Sequence, residues 1–328
     1  MKAVYINNFG PQIDVSLLET GEPGSPKETD VLIRVHAAGL NRADLLQARG
    51  VYPPPVGYSP NIPGLEFAGE IAAIGKAVTG WQTGDRVFGI TAGEAQAEYL
   101  LTDACLIAKI PDNLSFTEAA AVPEAFITAH DALVSQCKIA SGENVLIHAV
   151  GSGVGLAGLQ IAKARGCFVI GTSRTADKIE RCRDYGLGAG VTVDDPTDFA
   201  DEIRELTDGK GVDAILDLVG AAYFQQNLAS LAQRGRLILV GLTSGAKTDL
   251  DLSAVLQKRA RIIGTVLRSR TLEEKAVATD NFIRDVVPHL ATGAIRPNLD
   301  RVFEAADVIA AYKYLESNTS FGKVVLTF

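Results

Sequence analysis

Val145-Leu-Ile-His148-Ala-Val150-Gly151-Ser152-Gly153-Val154-Gly155-Leu-Ala-Gly158-Leu-Gln160 decides the fold. An apolar run, 145–148, enters a glycine cluster, and the cluster enters a segment with helical spacing, 155–165. Such a turn lets backbone approach a pyrophosphate, and the helix N-terminus offers it free N–H groups and the positive end of a dipole. The spacing departs from G-x-G-x-x-G. Counted from Gly151 the last position is Leu156; counted back from Gly155 the others are Ser152 and Val150. The context supplies what the spacing lacks: a strand before, a helix after, and a second strand at 168–172. The alternative is a tight β–α connection without a ligand.

Working outward, a helix is expected at 176–185, strands at 212–218, 237–241 and 262–266, and a helix at 223–232. Strand–helix alternation at this spacing predicts parallel βαβ units in a doubly wound Rossmann sheet. The second strand ends at Thr172-Ser173-Arg174, where no Asp or Glu stands to hold a ribose 2′-hydroxyl. Arg174 and Lys178 offer positive charge to a 2′-phosphate instead, which favours NADPH over NADH. The bland alternative is a solvated helix start.

Upstream, short apolar or alternating runs at 2–6, 31–37, 67–74, 86–90 and 97–101 are punctuated by Gly and Pro, as in Tyr52-Pro-Pro-Pro55. They predict a β-rich domain with one helix at 43–49. Ser115-x-x-Glu118 reads as a capping box, and a helix at 125–135 follows Pro123. Downstream come helical stretches at 272–291 and 305–318 and a strand at 323–328. A short terminal strand cannot stand alone, so it is expected to return to the first domain. The expected division is 1–122 with 267–328, and 123–266.

Composition agrees with this picture. The 328 residues suit about two domains. Lys and Arg number 31 against 39 Asp and Glu, a net charge of −8 that argues against a nucleic-acid partner. No long uninterrupted apolar run predicts a membrane span. The four cysteines, Cys105, Cys137, Cys167 and Cys182, are scattered, which favours a reduced, cytoplasmic compartment.

Several pieces in this order resemble the zinc-independent, ζ-crystallin-like quinone oxidoreductases of the medium-chain dehydrogenase/reductase superfamily, and within them the tumour-suppressor-inducible NADPH quinone oxidoreductases. They are Gly39-Leu-Asn41-Arg-Ala-Asp44, Gly50-Val-Tyr52-Pro-Pro-Pro55, Pro63-Gly-Leu-Glu66-Phe-Ala-Gly69, Gly84-Asp-Arg-Val87, Pro123-Glu-Ala125, the glycine loop, Leu267-Arg-Ser-Arg270 and Gly322-Lys-Val-Val325. The resemblance implies a GroES-like β-rich domain beside the Rossmann domain, with the active site between them, NADPH as hydride donor, a quinone as acceptor, and a homodimer. It places Asn41 and Tyr52 near the nicotinamide as catalytic residues and Thr128 against the cofactor. Ser152, Gly153 and Val154 would cover the pyrophosphate, and Ser173, Arg174 and Lys178 the adenosine end. Gly241, Leu242, Val266, Leu267 and Arg268 would flank the nicotinamide, with Asn318 closing the site. The sequence departs from the family at Val150, usually a small residue, and at Leu46 and Val193, where some members have tyrosine.

Zinc-dependent members of the superfamily need Cys and His ligands. Asn41 and Leu65 stand at the matching positions, and His36, His130, His148 and His289 form no ligand pair, so no metal is expected. Without a Lewis acid, an acceptor that stabilises its own reduced charge fits better than a simple alcohol. The alternative activity is NADPH-dependent reduction of activated C=C bonds. Glu66 and Glu124 could form an acid/base pair, Glu66 being more readily structural. A nucleotide-responsive binding protein is the non-enzymatic reading.

Overall fold

The computed structural model describes residues 1–194 and 198–328. The chain divides into two compact units, Met1–Ile127 with Leu267–Phe328, and Thr128–Val266. The boundary falls within the helix Pro123–His130.

In the second unit a six-stranded parallel sheet runs in the order Ala189–Thr192, Phe168–Ser173, Asn144–Ile147, Val212–Asp217, Leu231–Leu239, Arg261–Gly264. Numbered along this unit the order is 3-2-1-4-5-6, the doubly wound arrangement with its switch point beside the first strand. Leu146, Ile170, Ile215 and Leu237 form its buried core with Phe199, Ile203 and Phe224. The helix after the glycine loop lies close to the sheet because Gly158 has no side chain: a Cβ there would come 2.9 Å from Leu216.

In the first unit Glu66–Ile74 pairs antiparallel with both Asp30–Gly39 and Arg86–Ile90. On the other side of Asp30–Gly39 lies the closing strand Lys323–Thr327, Val325 opposite Gly39. It in turn pairs parallel with Leu299–Glu304. This register sets Lys323 beside the turn from Gly39 into the helix Arg42–Ala48.

The structure redraws several expected elements. The helix at 272–291 is two, Leu272–Asp285 and Val287–Thr292. Pro288, early in the second, lacks the N–H that would continue the first. The strand expected at 237–241 begins at Leu231, because a register shift against Val212–Asp217 lets the irregular turn through Arg234 belong to it. The helix at 125–135 ends as a wider turn, Asp131–Gln136. Unforeseen were the strands Asp14–Glu19, Ala189–Thr192 and Leu299–Glu304 and the helices Ala200–Leu206 and Leu252–Lys258. Among the described residues no helix is long and apolar enough to cross a membrane.

Candidate active site and cofactor site

The glycine loop is a tied turn. Ala149 takes a left-handed conformation, φ 46°, and its carbonyl accepts from Ser152 N at 2.9 Å. Val150 N donates to Thr172 O at 3.0 Å, fixing the loop to the second strand. Ser152 caps the helix Gly153–Ala164 by accepting from Gly155 N at 3.1 Å. A Cβ on Gly155 would lie 2.5 Å from Ala149 O, so this position admits no side chain without moving the loop. Among the described residues the amides of Gly153 and Val154 have no protein acceptor, so a half-buried helix start offers two donors and a dipole to an anion. These residues fit a pyrophosphate.

Ser173 ends the second strand, buried, and its Oγ accepts from Thr175 N at 3.3 Å. Arg174 follows, exposed, and Lys178 lies half-buried in the first turn of the helix Ala176–Cys182. Gly241 follows the fifth strand so closely packed that a Cβ would stand 2.8 Å from Leu218 O, and Leu242 is exposed beside it. Thr128 is half-buried on Pro123–His130, and Val266 is exposed after the edge strand.

The first unit gathers a different set. Asn41 Nδ2 donates to Glu66 Oε1 at 2.8 Å, and Asn41 Oδ1 accepts from Lys323 Nζ at 2.7 Å. Lys323 also donates to Leu40 O at 2.8 Å and pairs with Glu66 Oε1 at 2.5 Å. All three ammonium donors are therefore used, and Glu66, fully buried, completes its set by accepting from Glu124 N at 2.8 Å. Asp44 accepts from Asn41 N at 2.7 Å and from Gly64 N at 3.2 Å; burial pushes its carboxyl up to about 6. Burial, reinforced by the Glu66 carboxylate, pushes Glu124 up to about 8, and among the described residues its carboxyl makes no hydrogen bond.

Arg268 is only 4% exposed. Its guanidinium donates to Ala92 O at 2.8 Å, Tyr52 O at 3.0 Å and Gln47 Oε1 at 2.5 Å, and lies 5.0 Å from the Tyr52 ring centre. It braces the Tyr52 turn with uncharged acceptors, a role the cofactor reading of Arg268 did not foresee. Leu267 is buried beside it. The Tyr52 hydroxyl has no hydrogen-bond partner among the described residues, and burial raises its pKa. Asn318 is left-handed at φ 62° after the helix Val308–Glu316, and its Oδ1 accepts from Arg42 at 2.5 Å. Sequence reasoning missed Lys323 and Asp44 as members of the cluster, although both stand in quoted motifs, because a lysine opening a strand and an acid in a first helical turn ordinarily face solvent.

The environment of Asn41 is unsuited to zinc. No Cys or His stands there, a dication would face the Lys323 ammonium, and among the described residues no three His, Cys, Asp or Glu side chains are grouped to hold a metal.

Residues 27–134 match the alcohol dehydrogenase GroES-like domain and residues 153–281 the zinc-binding dehydrogenase family. The quinone oxidoreductase of Lama guanicoe is 32% identical over 331 residues, 99% of this chain and 97% of that protein. The chain belongs to the medium-chain dehydrogenase/reductase superfamily. Another medium-chain relative is a segment of a phenolphthiocerol/phthiocerol polyketide synthase of Mycobacterium tuberculosis, 34% identical over 304 residues; the match takes in 93% of this chain but 14% of that synthase. Two solved structures fit along almost all of both chains. A mycobacterial protein complexed with NADPH has TM-score 0.88 and 31% identity, covering 100% of each chain. The CurK enoyl reductase has TM-score 0.87 and 28% identity, covering 99% of this chain and 98% of its own. Membership in the medium-chain superfamily makes the protein an oxidoreductase with a nicotinamide cofactor, built from a Rossmann unit and a GroES-like unit.

Proposed function

We propose that the protein is an NADPH-dependent quinone oxidoreductase that works without a metal. The observation that carries this reading is the Asn41–Glu66–Lys323 cluster, where an ammonium supplies the positive charge beside the position that a metal ligand takes in zinc-dependent relatives. A full-length relative named quinone oxidoreductase supports it. NADPH, when bound, supplies the hydride. Gly153 and Val154 hold the pyrophosphate, Arg174 and Lys178 the 2′-phosphate, and Thr128, Ser173, Gly241, Leu242 and Val266 line the cofactor. Asn41, fixed by Glu66 and Lys323, orients the acceptor, and Tyr52 covers it on the turn that Arg268 braces. The protein is cytoplasmic and pairs with a second copy along the edge strand Arg261–Gly264, which shows Ile262 to solvent.

Reduction of activated C=C bonds is the second reading, favoured by structural likeness to an enoyl reductase. The two differ in their demand for a proton. A reduced quinone leaves an anion like a phenolate, with a pKa of about 10, that takes its proton from water. An enone leaves an enolate, a far stronger base, for which a placed donor contributes ~10²–10⁴-fold. Steady-state rates with benzoquinone, a naphthoquinone and an alkenal, using NADPH and NADH, test the assignment. For Tyr52→Phe we expect only a few-fold change in quinone kcat. Loss of a strong alkenal activity with quinone reduction kept would put the second reading first; loss of quinone reduction with NADPH affinity intact would make Tyr52 an obligatory acid.

A further inference from the structure

Four polar side chains with no place in the proposed chemistry meet inside the Rossmann unit, each almost or wholly shut off from water: Thr172, His148, Asn227 and Asp217. They come from the end of the second strand, the turn after the first strand, the helix Phe224–Ser230 and the end of the fourth strand. His148 Nδ1 lies 2.8 Å from Thr172 Oγ1, and His148 Nε2 lies 2.5 Å from Asn227 Oδ1. Asn227 Nδ2 lies 3.0 Å from Asp217 Oδ2. Asp217 Oδ1 accepts from Val219 N at 2.7 Å and Gly220 N at 2.9 Å. The imidazole sits between the rings of Phe199 and Tyr223, and burial holds its pKa below the usual histidine range.

The direction of every bond follows from one end. Asp217 takes its three donors on carboxylate oxygens, so Asn227 presents its NH2 to Asp217 and its oxygen to His148. His148 must then donate from Nε2, which leaves Nδ1 to accept from the Thr172 hydroxyl. The imidazole is neutral, with its proton on Nε2.

The Asp217 end is tied to a second loop. Val219 O accepts from Ser244 N and Ser244 Oγ, both at 2.8 Å, and Ala221 N donates to Gly245 O at 3.1 Å. Gly220, at φ 92°, lies so near that a Cβ would meet Leu242 Cα at 3.0 Å. At the other end, Thr172 immediately precedes Ser173 and Arg174.

We propose that His148, Asn227 and Asp217 are positioning residues: a one-way hydrogen-bond relay that sets the 217–222 and 241–245 loops for the nicotinamide half of the cofactor. The inference rests on the cofactor reading above and adds residues that touch no ligand. It predicts an effect at a distance. In Asp217→Asn the side-chain oxygen keeps the Val219 and Gly220 amides, so the new NH2 faces Asn227. Asn227 must turn its oxygen to residue 217 and its NH2 to His148. His148 Nε2 then becomes an acceptor, and its proton moves to Nδ1.

The test is the imidazole ¹⁵N–¹H correlation spectrum of histidine-labelled, cofactor-free protein. There are four histidines, and His148 is assigned by its loss in His148→Leu. We expect the Nε2–H tautomer in the wild type and the Nδ1–H tautomer in Asp217→Asn. Thr172→Val, which cuts only the receiving end, should leave Nε2–H in place. A wild-type Nδ1–H or charged imidazole, an unchanged Asp217→Asn spectrum, or a switch in Thr172→Val overturns the relay. For positioning, we expect Asp217→Asn to weaken NADPH about tenfold and 2′,5′-ADP, which lacks the nicotinamide half, less than twofold. Equal losses, or none, overturn the positioning role. A wild type that binds neither ligand refutes the cofactor reading instead, and the spectra still decide the relay.

Discussion

The two units bury polarity in opposite ways. In the first, formal charge answers formal charge: Glu66 and Lys323 share one contact, with Asp44, Glu124 and Arg268 close by. In the second, one carboxylate, Asp217, is met by neutral donors, two of them backbone amides. A charged cluster fails when one member is removed, because the survivor is left in a medium that cannot solvate it. A neutral relay loses direction before it loses stability. The difference suits their positions, one around a residue that must not move and one beneath loops that must be aimed.

The hardest blow to the comparison is Lys323→Met. Breaking a buried pair from one side costs about 3–5 kcal/mol. We expect a loss of that size in urea unfolding, and recovery of more than half of it when Glu66→Gln is added. A single-variant loss below about 1 kcal/mol would place the first unit in the forgiving class with the second.

Next in size is a pH effect at Glu124. Its folded pKa, about 8, stands above the ordinary 4.5, so between these values the folded protein holds a proton that the unfolded chain has released. Stability from this group is complete below pH 4.5 and is lost as pH rises through 8. Between pH 5 and 9 the wild type should lose on the order of 3 kcal/mol more than Glu124→Gln. Thermal melts of both across that range decide it; parallel curves would remove Glu124 from the charged cluster.

How much of this was legible in sequence follows from distance along the chain. The glycine loop, its helix and Ser173–Lys178 lie within one βαβ unit, so local pattern sufficed to place a strand, a turn and two cations together. The Asn41 cluster draws on residues 41, 44, 66, 124 and 323, and nothing local says that Lys323 turns inward against Leu40. His148 is instructive in another way. It lies inside the most informative stretch and was still set aside, because its partners Thr172, Asn227 and Asp217 are ordinary residues on three other elements. Elements failed where local signals competed: Pro288 divides one apolar helix pattern, and a register shift hides the start of the strand at Leu231.

The smallest expected effect sharpens the contrast between buried and exposed charge. Arg174→Ala or Lys178→Ala should each weaken NADPH roughly tenfold, about 1.4 kcal/mol, in a fluorescence titration, with NADH changed less than twofold. Equal losses for both nucleotides would take the 2′-phosphate away from these residues.

Lys323 also imposes an order on biosynthesis. Its strand threads between Leu299–Glu304 and Asp30–Gly39, and its ammonium is the partner that Glu66 needs. A ribosome delivers Glu66 long before it delivers Lys323, and the whole Rossmann unit emerges in between. Until the last strand docks, the nascent first unit carries an unmatched acid and an open sheet edge at Asp30–Gly39. The Rossmann unit needs no residue beyond Val266 for its sheet and can close while the first unit waits. The unit that starts first is therefore the one that finishes last, and its waiting edge is where a chaperone has most to protect.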